Sequence, residues 1–171
     1  MMNSVLISSR GHACFGQVPK PDASQLKPNQ LLIKVEACAL NPSDILFMRG
    51  KYNIKLKYPY TPGWEGSGTV VCAGGGGMLS KFFEGKRVAF MKQGELGTYK
   101  VGGAMAEYIV TDSRSVIPIA DEFSFEQSAS FFVNPLTAVC MVERCKELGA
   151  KACIVTAAAS QIGRMLVSVL I

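Results

Sequence analysis

Between Val5 and about Pro118 the apolar residues fall into short β-type runs: 5–8, 31–40, 68–74, 86–91, 105–110 and 115–119. Gly, Pro, Asn and Asp punctuate them, and no long helical pattern intervenes. Regularly spaced strands of this kind predict a β-barrel or sandwich. The glycine run 74–77 reads as a turn between strands, and 92–103, with four glycines, reads as a loop.

The pattern changes after Pro118. Ser124 is followed three residues later by Gln127, the spacing at which a hydroxyl and an amide side chain reciprocally cap the first turn of a helix. A further helix is expected over about Pro135 to Leu148, where Leu136, Val139, Cys140, Met141 and Val142 make a wide apolar face and Gly149 stands ready to end it. The run 151–157, KACIVTA, is short and apolar enough for a fully buried parallel strand. From Ser160 the sequence SQIGRMLVSVLI begins another helix.

Composition narrows the class. The chain has 171 residues, 49% hydrophobic and 18% charged, which excludes intrinsic disorder and a membrane bundle. Its formal charge is +5, but the basic residues are scattered, so neither a nucleic-acid tract nor a lipid-binding tract is expected. The start, MMNSVLISSR, lacks the layout of an export signal. The reading is an intracellular protein, in the cytoplasm or the mitochondrial matrix, with no membrane span. Six cysteines without C-x-x-C spacing read as free thiols, and the single histidine, His12, excludes a multi-histidine metal site.

The segment Ala157 to Gly163 lies between a predicted buried strand and a predicted helix. There a doubly wound fold binds dinucleotide pyrophosphate against backbone amides at a helix N-terminus. The glycine fingerprint is reduced to Ala158-x-Ser160-x-x-Gly163, so a phosphate cradle and a tight turn of small packed residues both fit the pattern.

Five motifs in one order resolve more: Asn41-Pro-Ser-Asp44, Arg49-Gly-Lys-Tyr52, Pro62-Gly-Trp-Glu-Gly-Ser-Gly68, Val133-Asn-Pro-Leu-Thr137 and the Ala157–Gly163 turn. Together they resemble the medium-chain dehydrogenase/reductase superfamily, in particular its zinc-free quinone oxidoreductase branch, which includes 2-enoyl thioester reductases. The resemblance implies a mixed α and β fold. A GroES-like β-barrel catalytic domain at about 1–123 would be followed by the first part of a Rossmann α/β domain at 124–171. It also implies hydride transfer from NADPH, with NADH the other possible donor, to a small molecule: a quinone, enone or enoyl thioester. A homodimer is implied for the full-length enzyme. Because a dinucleotide domain needs two β-α-β-α-β halves, the sequence reads as an N-terminal fragment of such an enzyme. The competing reading is a GroES-like binding or interaction module whose apolar tail packs on a partner.

Where the zinc alcohol dehydrogenases of the superfamily carry metal ligands, this chain has Asn41, Trp64 and Val133, and none of these side chains is a zinc donor. No metal is expected. The resemblance implies that Tyr52 helps protonate or orient substrate, with loop anchoring the alternative. Asn41 would bond near the nicotinamide or simply make the turn before Pro42. Asn134 and Thr137 would approach the cofactor or cap their helix, and Ala158, Ser160, Gln161, Ile162 and Gly163 would hold its phosphates. Trp64 would wall the substrate pocket or join the core. Glu65 is expected to have a structural partner, and Asp44 to cap the helix that follows it.

Overall fold

The computed structural model describes residues 1–52, 57–75, 78–92 and 102–170, apart from the side chain of Leu79. Strands β1 (Met2–Ser9) and β2 (His12–Val18) form an antiparallel hairpin. A second antiparallel sheet holds β3 (Gln30–Cys38), β4 (Glu65–Ala73), β5 (Arg87–Met91), β6 (Tyr108–Asp112) and β7 (Val116–Pro118), in the order β6-β3-β4-β5-β7. Isolated bridges, Ser4 to Ala106 and Ile7 to Tyr60, join the hairpin to the rest.

Period-two alternation explains the core. Val88 and Phe90 of β5 meet Leu31, Ile33, Val70 and Ile109 inside the sheet. Ala89 faces the other way and packs with Ile119 and Phe132. That second face is covered by α3 (Phe125–Ser128), which lies against β3, β4 and β5. Ser124 and Gln127 make the reciprocal cap that their spacing predicts, at 3.2 and 2.9 Å. Short helices α1 (Pro42–Met48) and α2 (Met78–Phe82) interrupt the strands, and α4 (Val133–Glu147) and α5 (Gln161–Leu170) complete the chain. None of the described helices is long and apolar enough to cross a membrane. The mixed α and β architecture is therefore as expected.

Several elements differ from expectation. β2 carries no apolar alternation because it pairs only with β1 and leaves most of its side chains, Phe15 among them, in solvent. The expected strand at 105–110 starts only at Tyr108, since Ala106 is taken by the bridge to Ser4. Helix α4 starts two residues before Pro135, and Gly149, at φ +67°, ends it as predicted. Its apolar face is not a buried one: Ala138 and Val142 are buried, while Leu136, Val139 and Met141 remain about half exposed. The largest correction is the run 151–157, which is not a strand. A buried parallel strand needs neighbours on both edges to satisfy its backbone groups and cover its faces, and no described strand pairs with this segment. Ile154 is accordingly 95% exposed. Of the two expected loops, residues 76–77 and 93–101 lie outside the described residues.

Candidate functional site

The site is built on a buried carboxylate. Glu65, the first residue of β4, is 0% exposed. Its Oε2 accepts the backbone N–H groups of Phe132 (3.0 Å) and Val133 (2.9 Å) at the start of α4, where unpaired amides and the helix dipole favour a negative group. Its Oε1 accepts the Asn41 side-chain amide at 2.8 Å. Asn41 Oδ1 in turn accepts from Asn134 Nδ2 at 3.3 Å. One carboxylate thereby ties together the start of α1, the start of β4 and the start of α4. Glu65 has the structural partner expected of it, and Asn41 and Asn134, 93 positions apart, meet in one network.

Asp44 takes part in the cap of α1 from within the helix and not as its leading residue: Asn41 is the N-cap, and Asp44, at the third helical position, accepts the Asn41 N–H at 2.8 Å. Burial raises its pKa, opposed by backbone N–H bonds from Asn41 and Trp64 and reinforced by the negative charge of Glu65. Burial likewise pushes the Cys38 thiol up to about 12, with Asp44 and Glu65 adding to the effect. Cys38 is thus a protonated packing residue. Lys92, just beyond β5, has nothing in its sequence context to single it out. It is buried, its backbone N–H donates to the Trp64 carbonyl at 2.7 Å, and burial lowers its ammonium pKa to about 7.

An aromatic cluster adjoins this network because Trp64 precedes Glu65 and Phe47 lies on α1. Phe47 contacts Trp64 with ring centroids 4.8 Å apart and Tyr60 at 5.3 Å, edge-on. Tyr52 stands 6.0 Å from Trp64 and 6.1 Å from Phe47. The two phenols of the cluster differ. Tyr60 is 1% exposed, and burial beside Tyr58 pushes it up to about 12; Tyr52 is 43% exposed. Tyr52 and Trp64, both expected at a substrate pocket, are therefore brought together, with the Tyr52 ring open to solvent.

The expected cofactor residues form a second group. Thr137 lies one turn beyond Asn134 and donates its hydroxyl to the Val133 carbonyl. It lines an apolar groove with Met91, Phe132 and Leu136. Ser160 Oγ accepts the Gly163 N–H at 3.1 Å, capping α5. Gln161 faces Pro135 and Ala138 across the α4–α5 groove, while Ile162 lies with Met141 and Val142 on its other side. At Gly163 a Cβ would collide with the Ala157 carbonyl oxygen and sit 2.8 Å from Ala158 Cα, so the helix rests directly on the turn. Gly163→Val should push α5 off that turn at a cost of about 1–3 kcal/mol. Hydrogen exchange should then show α5 amides losing protection while those of β3 and β4 keep theirs; unchanged α5 protection would contradict the close approach.

Among the described residues no group of three or more His, Cys, Asp or Glu side chains is arranged to hold a metal ion.

Residues 27–121 match the alcohol dehydrogenase GroES-like domain, and the chain belongs to that family. Within it, the likeness is to the quinone oxidoreductase branch of the medium-chain dehydrogenases/reductases. The quinone oxidoreductase of Lama guanicoe is 34% identical over 110 residues, which is 64% of this chain and 31% of the relative. A Mesorhizobium loti chain assigned to the NADPH:quinone reductases superposes with TM-score 0.82 at 32% identity, covering 98% of this chain and 51% of that one. The quinone oxidoreductase of Thermus thermophilus gives 0.74 at 27% identity, covering 98% and 49%. The chain thus spans about a third of this curated relative and about half of these solved structures.

Proposed function

We propose that this chain supplies the acceptor side of an NAD(P)H-dependent oxidoreductase that passes hydride to a quinone or an activated double bond without zinc. Residues 1–123 would form the catalytic unit and 124–171 the opening of the cofactor unit. The observation that carries the reading is the apposition of the solvent-open Tyr52 ring and the partly buried Trp64 ring beside the Asn41–Glu65–Asn134 network.

The residues present fit a dinucleotide. The turn at Ala158 to Gly163 has only small side chains at its crossing point, Ser160 caps α5, and Gly163 lets that helix approach the turn closely. Ala158, Ser160, Gln161, Ile162 and Gly163 would hold the phosphates, with Asn134 and Thr137 on the α4 side. The Thermus thermophilus relative is known in complex with NADPH, which supports that choice of cofactor. When bound, NADPH supplies the hydride. The chain's own residues then have two tasks. Glu65 fixes α4 against the barrel, and Tyr52 offers a hydrogen bond to the oxygen on which negative charge develops. Trp64 gives a flat apolar wall on which a planar acceptor stacks.

Zinc independence rests on donor chemistry. Asn41 already uses its amide on Glu65 and Asn134, and neither the indole of Trp64 nor the isopropyl group of Val133 is a metal donor. Elemental analysis after dialysis against chelator should find well under one zinc per chain; stoichiometric zinc would overturn this part of the reading.

Tyr52→Phe tests the rest in a chain extended by a complete dinucleotide-binding domain. With an enoyl thioester, loss of the phenol should lower turnover on the order of 10²-fold, because the developing enolate loses a placed donor. A quinone takes its proton readily from water, so its reduction should fall much less. Equal, small losses with both acceptors would make Tyr52 a loop anchor.

A further inference from the structure

The hairpin at the N-terminus does more than close the barrel edge. At its tip, Arg10 donates from Nε to the Arg49 carbonyl at 2.9 Å and from Nη2 to the Gly50 carbonyl at 3.0 Å. The adjacent Gly11 N–H donates to the Met48 carbonyl at 3.0 Å. Three consecutive carbonyls at the C-terminal end of α1 are thus taken by two consecutive hairpin residues, one of them cationic, where the helix dipole favours positive charge. The Arg10 side chain passes close over Gly50, where a Cβ would sit 2.7 Å from Arg10 Nε. Two residues further on comes Tyr52. The same strand also holds the returning chain, since Ile7 and Tyr60 exchange backbone hydrogen bonds at 2.9 and 3.2 Å.

We infer that Arg10, through its fork on the Arg49 and Gly50 carbonyls, is a positioning residue that holds the Tyr52 ring against Trp64. A planar fork engages two carbonyls in one fixed geometry, which a lysine ammonium does not reproduce. The residue reaches the acceptor site only through Tyr52, so its consequence for catalysis rests on the role proposed for Tyr52.

The experiment uses the 171-residue chain. Its single tryptophan makes the Trp64 indole signals unambiguous in NMR and its emission specific. In Arg10→Ala, nuclear Overhauser contacts between the Tyr52 ring and the Trp64 indole should weaken while those between Phe47 and Trp64 persist. Arg10→Lys, which keeps the charge and loses the fork, should fall between Arg10→Ala and wild type, and it carries the comparison should Arg10→Ala unfold. Titration with 1,4-naphthoquinone, followed by quenching of Trp64, should show affinity about 3–10-fold weaker in the variant, the scale of one hydrogen-bonded constraint. Unchanged Tyr52–Trp64 contacts in both variants would overturn the inference. Weakened contacts with no saturable naphthoquinone binding by any form would leave Arg10 as the holder of Tyr52 and remove the acceptor reading instead.

Discussion

Glu65→Ala is expected to destabilise the fold by about 3–5 kcal/mol, because it strips three donors, two of them buried, of their acceptor at once. The N–H groups of Phe132 and Val133 and the amide of Asn41 all converge on this carboxylate, and Glu65, Asn41 and Phe132 are all buried. Glu65→Gln keeps the shape and one acceptor oxygen, so it should cost less than half as much. Chemical denaturation checks both, and the ordering is the informative part. Equal losses for Ala and Gln would mean that the charge matters and the hydrogen bonds do not. Negligible losses would mean that α4 does not depend on this anchor.

Stability should rise as pH is taken from about 7 to about 9, by a few kcal/mol, through Lys92. The folded state holds Lys92 near pKa 7, while the unfolded chain keeps the ordinary 10.5. Across that interval the unfolded state binds more protons, so raising the pH favours the folded form, at up to ~1.4 kcal/mol per pH unit. Above about pH 9 the trend should reverse. Cys38 and Tyr60 are raised to about 12 in the folded chain, so each favours the folded state below its ordinary value and loses that contribution as pH rises towards 12. Lys92→Met should remove the rise between about 7 and 9 and leave the fall above it. Denaturation midpoints measured across this range decide the matter; a flat profile for the wild type would show that Lys92 keeps its proton when folded.

Much of the barrel was legible because its strands are half-buried and alternate. β3 and β5 carry residues of the main core at every second position, Leu31 and Ile33 in one and Val88 and Phe90 in the other, and that period is written in the sequence. β2 was not, because a strand paired on one edge and exposed on its faces has no pattern to show. The run 151–157 misled for the opposite reason. Its composition suits a buried strand, but burial comes from neighbours that composition does not contain. At the site, the Asn41, Tyr52, Trp64 and Asn134 positions were picked out by motif, and local spacing tied Asp44 to the cap of α1. Contacts between distant segments were beyond reach. Nothing near Arg10 announces that its side chain ends 39 and 40 residues away, and nothing around Lys92 distinguishes it from a surface lysine closing a strand.

The protonated state of Cys38 bears on self-inactivation. Quinones are electrophiles as well as hydride acceptors, and a thiolate adds to their ring carbons to give a covalent arylation product. Cys38 is largely buried within the field of Asp44 and Glu65, and with its pKa near 12 only about one in 10⁵ of its thiols is ionised at neutral pH. Burial first, and the anionic groups that order the α1–β4–α4 junction second, therefore also protect this thiol from an electrophilic quinone. Arylation by excess quinone should fall first on the exposed Cys14 and Cys140, outside the ordered network, and spare the thiol beside it.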